Sequence, residues 1–210
     1  NMLCRTFPLG PLDTNCFLVY TEKEALAVDP GGPPGPVLDF LKKNGLTLRH
    51  ILLTHLHFDH TFGVHELQKA TGAETLASND DSFMLENELG QGGMWGLPKV
   101  APYEFSPLQP GEHTYLGEAC RVLATPGHTP GGLSFYFEGM QAVFAGDTLF
   151  YRSIGRTDFP GGNHDTLLHA IRTQLFSLPD TCIVYPGHGE PSSIGDEKRN
   201  NPYVSDFSML

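Results

Sequence analysis

Thr54-His55-Leu56-His57-Phe58-Asp59-His60 packs three imidazoles and a carboxylate into one short stretch, directly after the apolar run Ile51-Leu52-Leu53. Alternate side chains of an extended chain share a face, so His55 and His57 point the same way. Asp59 and His60 follow where the apolar run stops, in a turn that aims a second carboxylate–imidazole pair. Histidine with aspartate is a borderline ligand set suited to zinc, manganese or iron. The competing reading is a solvated histidine-rich loop, and the density of the cluster weighs against it.

The flanks are strands and helices. Upstream, Phe17–Tyr20 and Ala25–Val28 read as strands joined by the turn Thr21-Glu22-Lys23-Glu24. Asp29-Pro30-Gly31-Gly32 ends the second strand. Val37, Leu38, Phe40 and Leu41 give helical spacing over Pro36–Lys43, stopped by Asn44-Gly45. His50–Thr54 predicts a buried strand, and Thr61–Thr71 a helix ended by Gly72. Downstream, Glu74–Ala77 reads as a strand, and Asn79-Asp80 caps a helix running to about Leu89. Residues 90–107 are rich in glycine, proline and aromatics. They read as a long ordered loop: a lid or binding wall, or an excursion packing Trp95 and Phe105 as a satellite core.

Thr114–Leu116, Cys120–Thr125, Leu133–Glu138 and Ala142–Ala145 continue as strands. Asn163-His164-Asp165 caps a helix from Thr166 to about Phe176. Thr181–Tyr185 is a last strand and Ile194–Asn200 a short helix. This partial alternation favours an α/β sandwich with mixed sheets over a doubly wound parallel sheet. Nothing marks a boundary, so a single domain over residues 1–210 is expected.

Three later turns repeat one design, a strand followed by a ligand-type residue beside glycine. They are Thr125-Pro126-Gly127-His128, Ala145-Gly146-Asp147-Thr148 and Tyr185-Pro186-Gly187-His188. Glycine lets backbone approach closely, and proline lowers the entropy lost on ordering the turn. The remaining histidines, His50, His65, His113, His164 and His169, lack such a context.

A formal net charge of −11 weighs against nucleic acid or an anionic membrane as partner. No run approaches the ~20 apolar residues of a membrane helix, and the first residues do not read as a signal peptide. Cys4, Cys16, Cys120 and Cys182 show no paired spacing, so a reducing, cytoplasmic compartment is expected.

In order, His-x-His-x-Asp-His, Pro-Gly-His, Gly-Asp and Pro-Gly-His resemble the metallo-β-lactamase superfamily. The resemblance implies an α/β fold, a four-layer αββα sandwich of two mixed sheets, with a metal site at one edge. It implies two divalent ions, zinc first, with iron or manganese as alternatives. His55, His57 and His128 would hold one ion; Asp59, His60 and His188 the other; Asp147 would bridge them. Asp29 would orient ligands through hydrogen bonds.

Within the superfamily, Gly146-Asp147-Thr148-Leu149-Phe150, Ser153-Ile154-Gly155-Arg156-Thr157-Asp158 and Glu197-Lys198-Arg199-Asn200-Asn201-Pro202-Tyr203 are similar to the glyoxalase II group, above all its short bacterial relatives. That similarity implies hydrolysis of a small acyl-thiol, S-lactoylglutathione or a relative, by a metal-bridged hydroxide. Asp59 would help orient the nucleophile, Tyr151 would offer substrate a hydroxyl, and Arg152 and Arg156 would hold a substrate carboxylate. The competing reading of the two arginines is a salt bridge inside the loop, which Asp158 favours for Arg156. Gly155-Arg156-Thr157-Asp158-Phe159 is also similar to the persulfide dioxygenases, which use one iron. A metal-stabilised binding protein without catalysis is the third alternative.

Overall fold

A computed structural model describes residues 1–205. The chain divides into two compact units, Asn1–Leu108 and Gln109–Leu210. Each unit carries one six-stranded mixed sheet.

The first unit contains β1 (Leu3–Leu9), β2 (Thr14–Tyr20), β3 (Glu24–Val28), β4 (Thr47–Leu52), β5 (Glu74–Ala77) and β6 (Ser106–Pro107), adjacent in that order. The β1–β2–β3 pairs are antiparallel, and the pairs from β3 to β6 are parallel. Parallel neighbours need crossovers, supplied by α1 (Gly35–Lys43) between β3 and β4 and α2 (Val64–Thr71) between β4 and β5. The central strands are apolar on both faces: Ala25, Leu26, Ala27, Ile51 and Leu52 are fully buried, as a covered parallel sheet requires.

The second unit contains β7 (Gly111–Tyr115), β8 (Glu118–Ala124), β9 (Leu133–Phe137) and β10 (Ala142–Gly146), then a small hairpin of β11 (Leu149–Phe150) and β12 (Ser153–Ile154). β13 (Ile183–Pro186) and β14 (Ser192–Ser193) complete the sheet, in the order β14-β13-β10-β9-β8-β7. Only β10–β13 is parallel, and its crossover carries the helix His164–Ala170. Leu167, Ile171 and Leu175 from that crossover pack with Val143, Ala145 and Val184 of the sheet. Phe135, Phe137 and Phe144 are fully buried, and burying each such side chain is worth about 2 kcal/mol before entropy.

Several elements differ from the sequence expectation. β1 was not expected; Pro8 interrupts its pattern, and mainly Phe7 and Leu9 point inward. β4 lies earlier than His50–Thr54, because Leu53 and Thr54 already leave the ladder. The helix expected from Thr61 begins at Val64, after a separate 3₁₀ turn over Phe58–His60. The segment expected as one helix to about Leu89 is a 3₁₀ helix, Asn79–Glu86, capped by the Ser78 hydroxyl, and then α3 (Glu88–Gln91). Asn163 caps α4 (His164–Ala170) with its side chain on Thr166 N–H, and a π-helical turn follows over Ile171–Leu175. α5 (Ile194–Asn200) matches its expectation. Among the described residues no helix is long and apolar enough to cross a membrane.

Candidate metal centre

In the first unit the histidine stretch follows β4. His55 and His57 rings lie 4.9 Å apart, centroid to centroid, and His55 and His60 4.1 Å apart. The 3₁₀ turn over Phe58–His60 brings Asp59 Oδ2 to 3.5 Å from His60 Nε2. His55, His57, Asp59 and His60 are all buried.

Asp29, at the end of β3, organises this group. Its Oδ1 accepts from the Thr54 backbone N–H at 2.8 Å, and its Oδ2 accepts from the Thr54 hydroxyl at 2.6 Å and His60 Nδ1 at 2.8 Å. The Thr54 hydroxyl, having given its one proton to Asp29, accepts from His55 Nδ1 at 2.9 Å. His55 and His60 are thereby held as Nδ1–H tautomers, with the lone pair on Nε2. Asp29, His55 and His60 bring one donor atom each within 4.8 Å of one another. Both Asp29 oxygens are already acceptors, so Asp29 positions imidazoles rather than joining them as a ligand. Its φ of 53° lies in the left-handed region, a conformation that costs a side-chain-bearing residue roughly 1 kcal/mol or more.

Two further contacts brace the stretch. Asp81, fully buried in the 3₁₀ helix after β5, accepts from Leu56 N–H at 3.2 Å, between His55 and His57. Thr14 donates to the Asp59 carbonyl at 2.8 Å. The Pro30-Gly31-Gly32 turn lies against the same carbonyl: a Cβ on Gly31 would stand 2.0 Å from Asp59 O. Thr14, Thr54 and Asp81 were not singled out from sequence. Asp29 and Asp81 each lie 25 residues from the backbone they hold, so no local pattern announces them.

In the second unit three strand ends converge. His128 follows β8, Asp147 follows β10 and His188 follows β13. Asp147 Oδ2 lies 3.5 Å from His128 Nε2 and 3.6 Å from His188 Nε2, one carboxylate oxygen facing two imidazoles. The parallel β10–β13 pairing places the last two turns side by side, tied by Gly187 N–H to Gly146 O at 2.8 Å. His128 Nδ1 donates to the Arg156 carbonyl at 2.7 Å, so its lone pair also resides on Nε2. The segment supplying that carbonyl packs on Asp147, where a Cβ on Gly155 would stand 1.8 Å from the Asp147 carbonyl oxygen.

The expected substrate contacts are otherwise engaged. The Arg152 guanidinium donates to Asp196 and Glu197 at 2.9 and 2.8 Å, and its backbone N–H donates to Glu197 at 2.9 Å. Glu197 is fully buried in α5, and Asn201 donates to it at 3.0 Å and to the Ser153 carbonyl at 3.1 Å. The two segments noted after Asp147 and near the C-terminus are thus physically joined: α5 clamps the β11–β12 hairpin. Arg156 donates twice to Asp158, at 2.7 and 2.8 Å, with its guanidinium 3.9 Å from the Phe159 ring centroid. Tyr151 is 45 % exposed, with Arg152 over its ring.

The donor set suits divalent metal. It consists of neutral imidazoles with Nε2 lone pairs fixed by Nδ1 hydrogen bonds, beside carboxylates.

Comparison with known proteins agrees. Residues 9–188 match the family model for the metallo-beta-lactamase superfamily. The chain is 38 % identical to hydroxyacylglutathione hydrolase GloC of Haemophilus influenzae, over 96 % of this chain and 97 % of that one. It is 34 % identical to the probable metallo-hydrolase YqgX of Bacillus subtilis, over 99 % and 100 %. Among solved structures, BLEG-1 B3 metallo-beta-lactamase aligns with TM-score 0.89 and 35 % identity, over 96 % of this chain and 99 % of that one. TTHA1623 in a di-iron-bound form aligns with TM-score 0.86 and 36 % identity, over 95 % and 100 %. ETHE1 from Myxococcus xanthus aligns with TM-score 0.76 and 31 % identity, over 97 % and 84 %. The fold class is the one expected, the α/β metallo-β-lactamase fold with two mixed sheets.

Proposed function

This chain belongs to the metallo-β-lactamase superfamily, and we propose that within it the protein is a two-metal thioester hydrolase. The family match and the likeness to GloC support a metal-dependent hydrolase. The thioester substrate, the zinc and the division of ligands are our reading.

One observation carries it. Hydrogen bonds to Asp29, Thr54 and the Arg156 carbonyl hold His60, His55 and His128 with their Nε2 lone pairs ready for metal. We assign His55, His57 and His128 to one ion, and Asp59, His60 and His188 to the other. Asp147 is the shared ligand, which its position between His128 and His188 supports. When bound, such a pair of ions would supply Lewis acidity and lower the pKa of water toward neutral. Asp59 would then help orient that water. Asp29 and Thr54 keep two imidazoles in the ligating tautomer. Tyr151, partly exposed, would offer its hydroxyl to substrate, while Arg152 and Arg156 shape the wall beside it through their carboxylate partners.

We read residues 1–210 as one domain, which the family match running from 9 to 188 through both units supports; residues 206–210 lie outside the described part. The partner is a small acyl-thiol, with neither nucleic acid nor membrane. A cytoplasmic location is supported by four free cysteines. Burial pushes the thiols of Cys4, Cys120 and Cys182 up to about 12, which leaves them protonated and unreactive.

The likeness to ETHE1 and to a di-iron-bound structure favours a second reading, an iron-dependent persulfide dioxygenase. Elemental analysis of protein purified without added metal separates the two. The hydrolase reading expects zinc in about two equivalents per chain, with hydrolysis of S-lactoylglutathione and no oxygen uptake on glutathione persulfide. Iron with oxygen uptake and no hydrolysis would replace it with the dioxygenase.

A further inference from the structure

Trp95 is the chain's single tryptophan, and the residue is 69 % exposed. It is held there by an ordered device. Asn87 caps α3, and Val100 N–H returns to the Gln91 carbonyl at 2.7 Å. Gly92 bridges Lys99, Gly93 N–H bonds to Pro98 O at 3.0 Å, and Leu97 N–H to Met94 O at 2.8 Å. These bonds close residues 92–99 into a ring with Trp95 at its tip, at φ 53°. The tip carries two costs: a large aromatic in the left-handed region, and its apolar surface left in water. A single exposed aromatic is ordinary, but a strained tip closed by its own hydrogen bonds that holds the ring outward marks a contact position.

The location says which ligand. Trp95 meets Phe58 edge to face, with centroids 6.4 Å apart, and Phe58 in turn meets Phe62 at 5.6 Å. Phe58 is 4 % exposed and sits in the chain between His57 and Asp59. The indole is thus seated on the turn that carries candidate metal ligands, with most of its surface open. We infer that Trp95 is a specificity-determining residue, packing its indole against the apolar part of the substrate beside the scissile bond. This rests on the hydrolase reading above. The apolar part comes from the acyl chain or from the thiol, and the test has an arm for each.

Steady-state kinetics compare wild type, Trp95→Ala and Trp95→Phe. One arm uses acetyl, butyryl and hexanoyl esters of one small thiol; the other uses acetyl esters of thiols of increasing apolar size. Trp95→Ala is expected to raise KM about tenfold for the largest member of one series, the equivalent of two methylenes returned to water. Its kcat stays near wild type, and Trp95→Phe recovers most of the loss. Equal KM values for wild type and Trp95→Ala across both series overturn the proposal. Emission of the lone tryptophan gives a second reading that needs no turnover. Non-hydrolysable hexyl thioethers, added to metal-loaded wild type, are expected to give a saturable blue shift. Thioethers that inhibit without shifting the emission overturn the proposal. If wild type hydrolyses no thioester, the hydrolase reading falls, and the thioether titration decides Trp95: a shift supports the contact, and none removes it.

Discussion

The two units hold their candidate ligands by different means. In the first, ligands lie almost consecutively after one strand, and buried carboxylates keep them in place: Asp29 through Thr54 and His60, Asp81 through the Leu56 amide. In the second, they come from three strand ends. Main chain does the holding, through the Arg156 carbonyl on His128 and the close approach of Gly155 to Asp147. A contiguous run of imidazoles cannot be steadied by the strand it has just left, so it borrows charge from elsewhere. Ligands at the ends of paired strands inherit their positions from the sheet and need only fit. The first unit should therefore fail through loss of charge, the second through added bulk.

Asp147→Ala tests the carboxylate proposed as the shared ligand and has the largest expected effect. Bound metal and hydrolysis should disappear together, with turnover down roughly a thousandfold or more; wild-type hydrolysis of S-lactoylglutathione by this variant would sink the two-metal reading. Asp29→Asn keeps the volume and tolerates positive φ, but removes the charge that holds Thr54 and His60. Metal affinity, read by competition with a chelator, should fall about 10- to 100-fold. An unchanged affinity would erase the contrast on the first side.

Gly155→Ala tests the second side, since a methyl group there meets the Asp147 carbonyl. Overpacking of this kind costs about 1–3 kcal/mol, read as a lower unfolding midpoint in denaturant. A wild-type midpoint would mean that the segment yields and that fit matters little.

The smallest effect belongs to Arg156→Gln. Two hydrogen bonds from Arg156 hold the Asp158 carboxyl down to about 2. A carboxyl depressed in the folded state contributes stability that is complete above its ordinary value near ~4 and fades as pH falls through the depressed value. Wild type should thus lead Arg156→Gln slightly at neutral pH, with the gap closing between pH ~4 and ~2. The side chains are 52 % and 65 % exposed, so solvent screens the pair and the lead stays small. A large gap at pH 7, read by denaturant titration, would show that this pair supports the His128 contact.

Much of this was legible in the chain itself. The residues from His55 to His60, and His128, Asp147 and His188, stand out because ligand chemistry restricts residue type and each follows an apolar run. Asp29 stood out only through family resemblance, since before Pro30 it reads equally as a turn former. Asp81 stayed hidden, and Glu197 was marked by resemblance without its role, because their partners lie 25 and 45 residues away. Arg156 already read as a partner for the adjacent Asp158, as the structure shows, whereas the Asp196 and Glu197 that hold Arg152 lie more than forty residues away and gave no local sign. Among the elements, β1 was missed because Pro8 and its exposed residues break the alternation. β11 and β12 are two residues long, below what periodicity resolves. Asn79–Glu86 lacks a one-sided apolar stripe, and it forms 3₁₀ rather than α-helix.

The outermost strands of the two sheets have a consequence for life at high concentration. β6 and β14 are two residues long. β1 carries Arg5 and Pro8, and proline offers a neighbour no amide to pair with. β7, the fourth edge, is five residues long and carries Glu112, whose charge discourages pairing with a second chain. The apolar inner strands, such as β2, β3, β9 and β10, sit inboard of those edges. The sheets thus carry their own guard against growing into fibres.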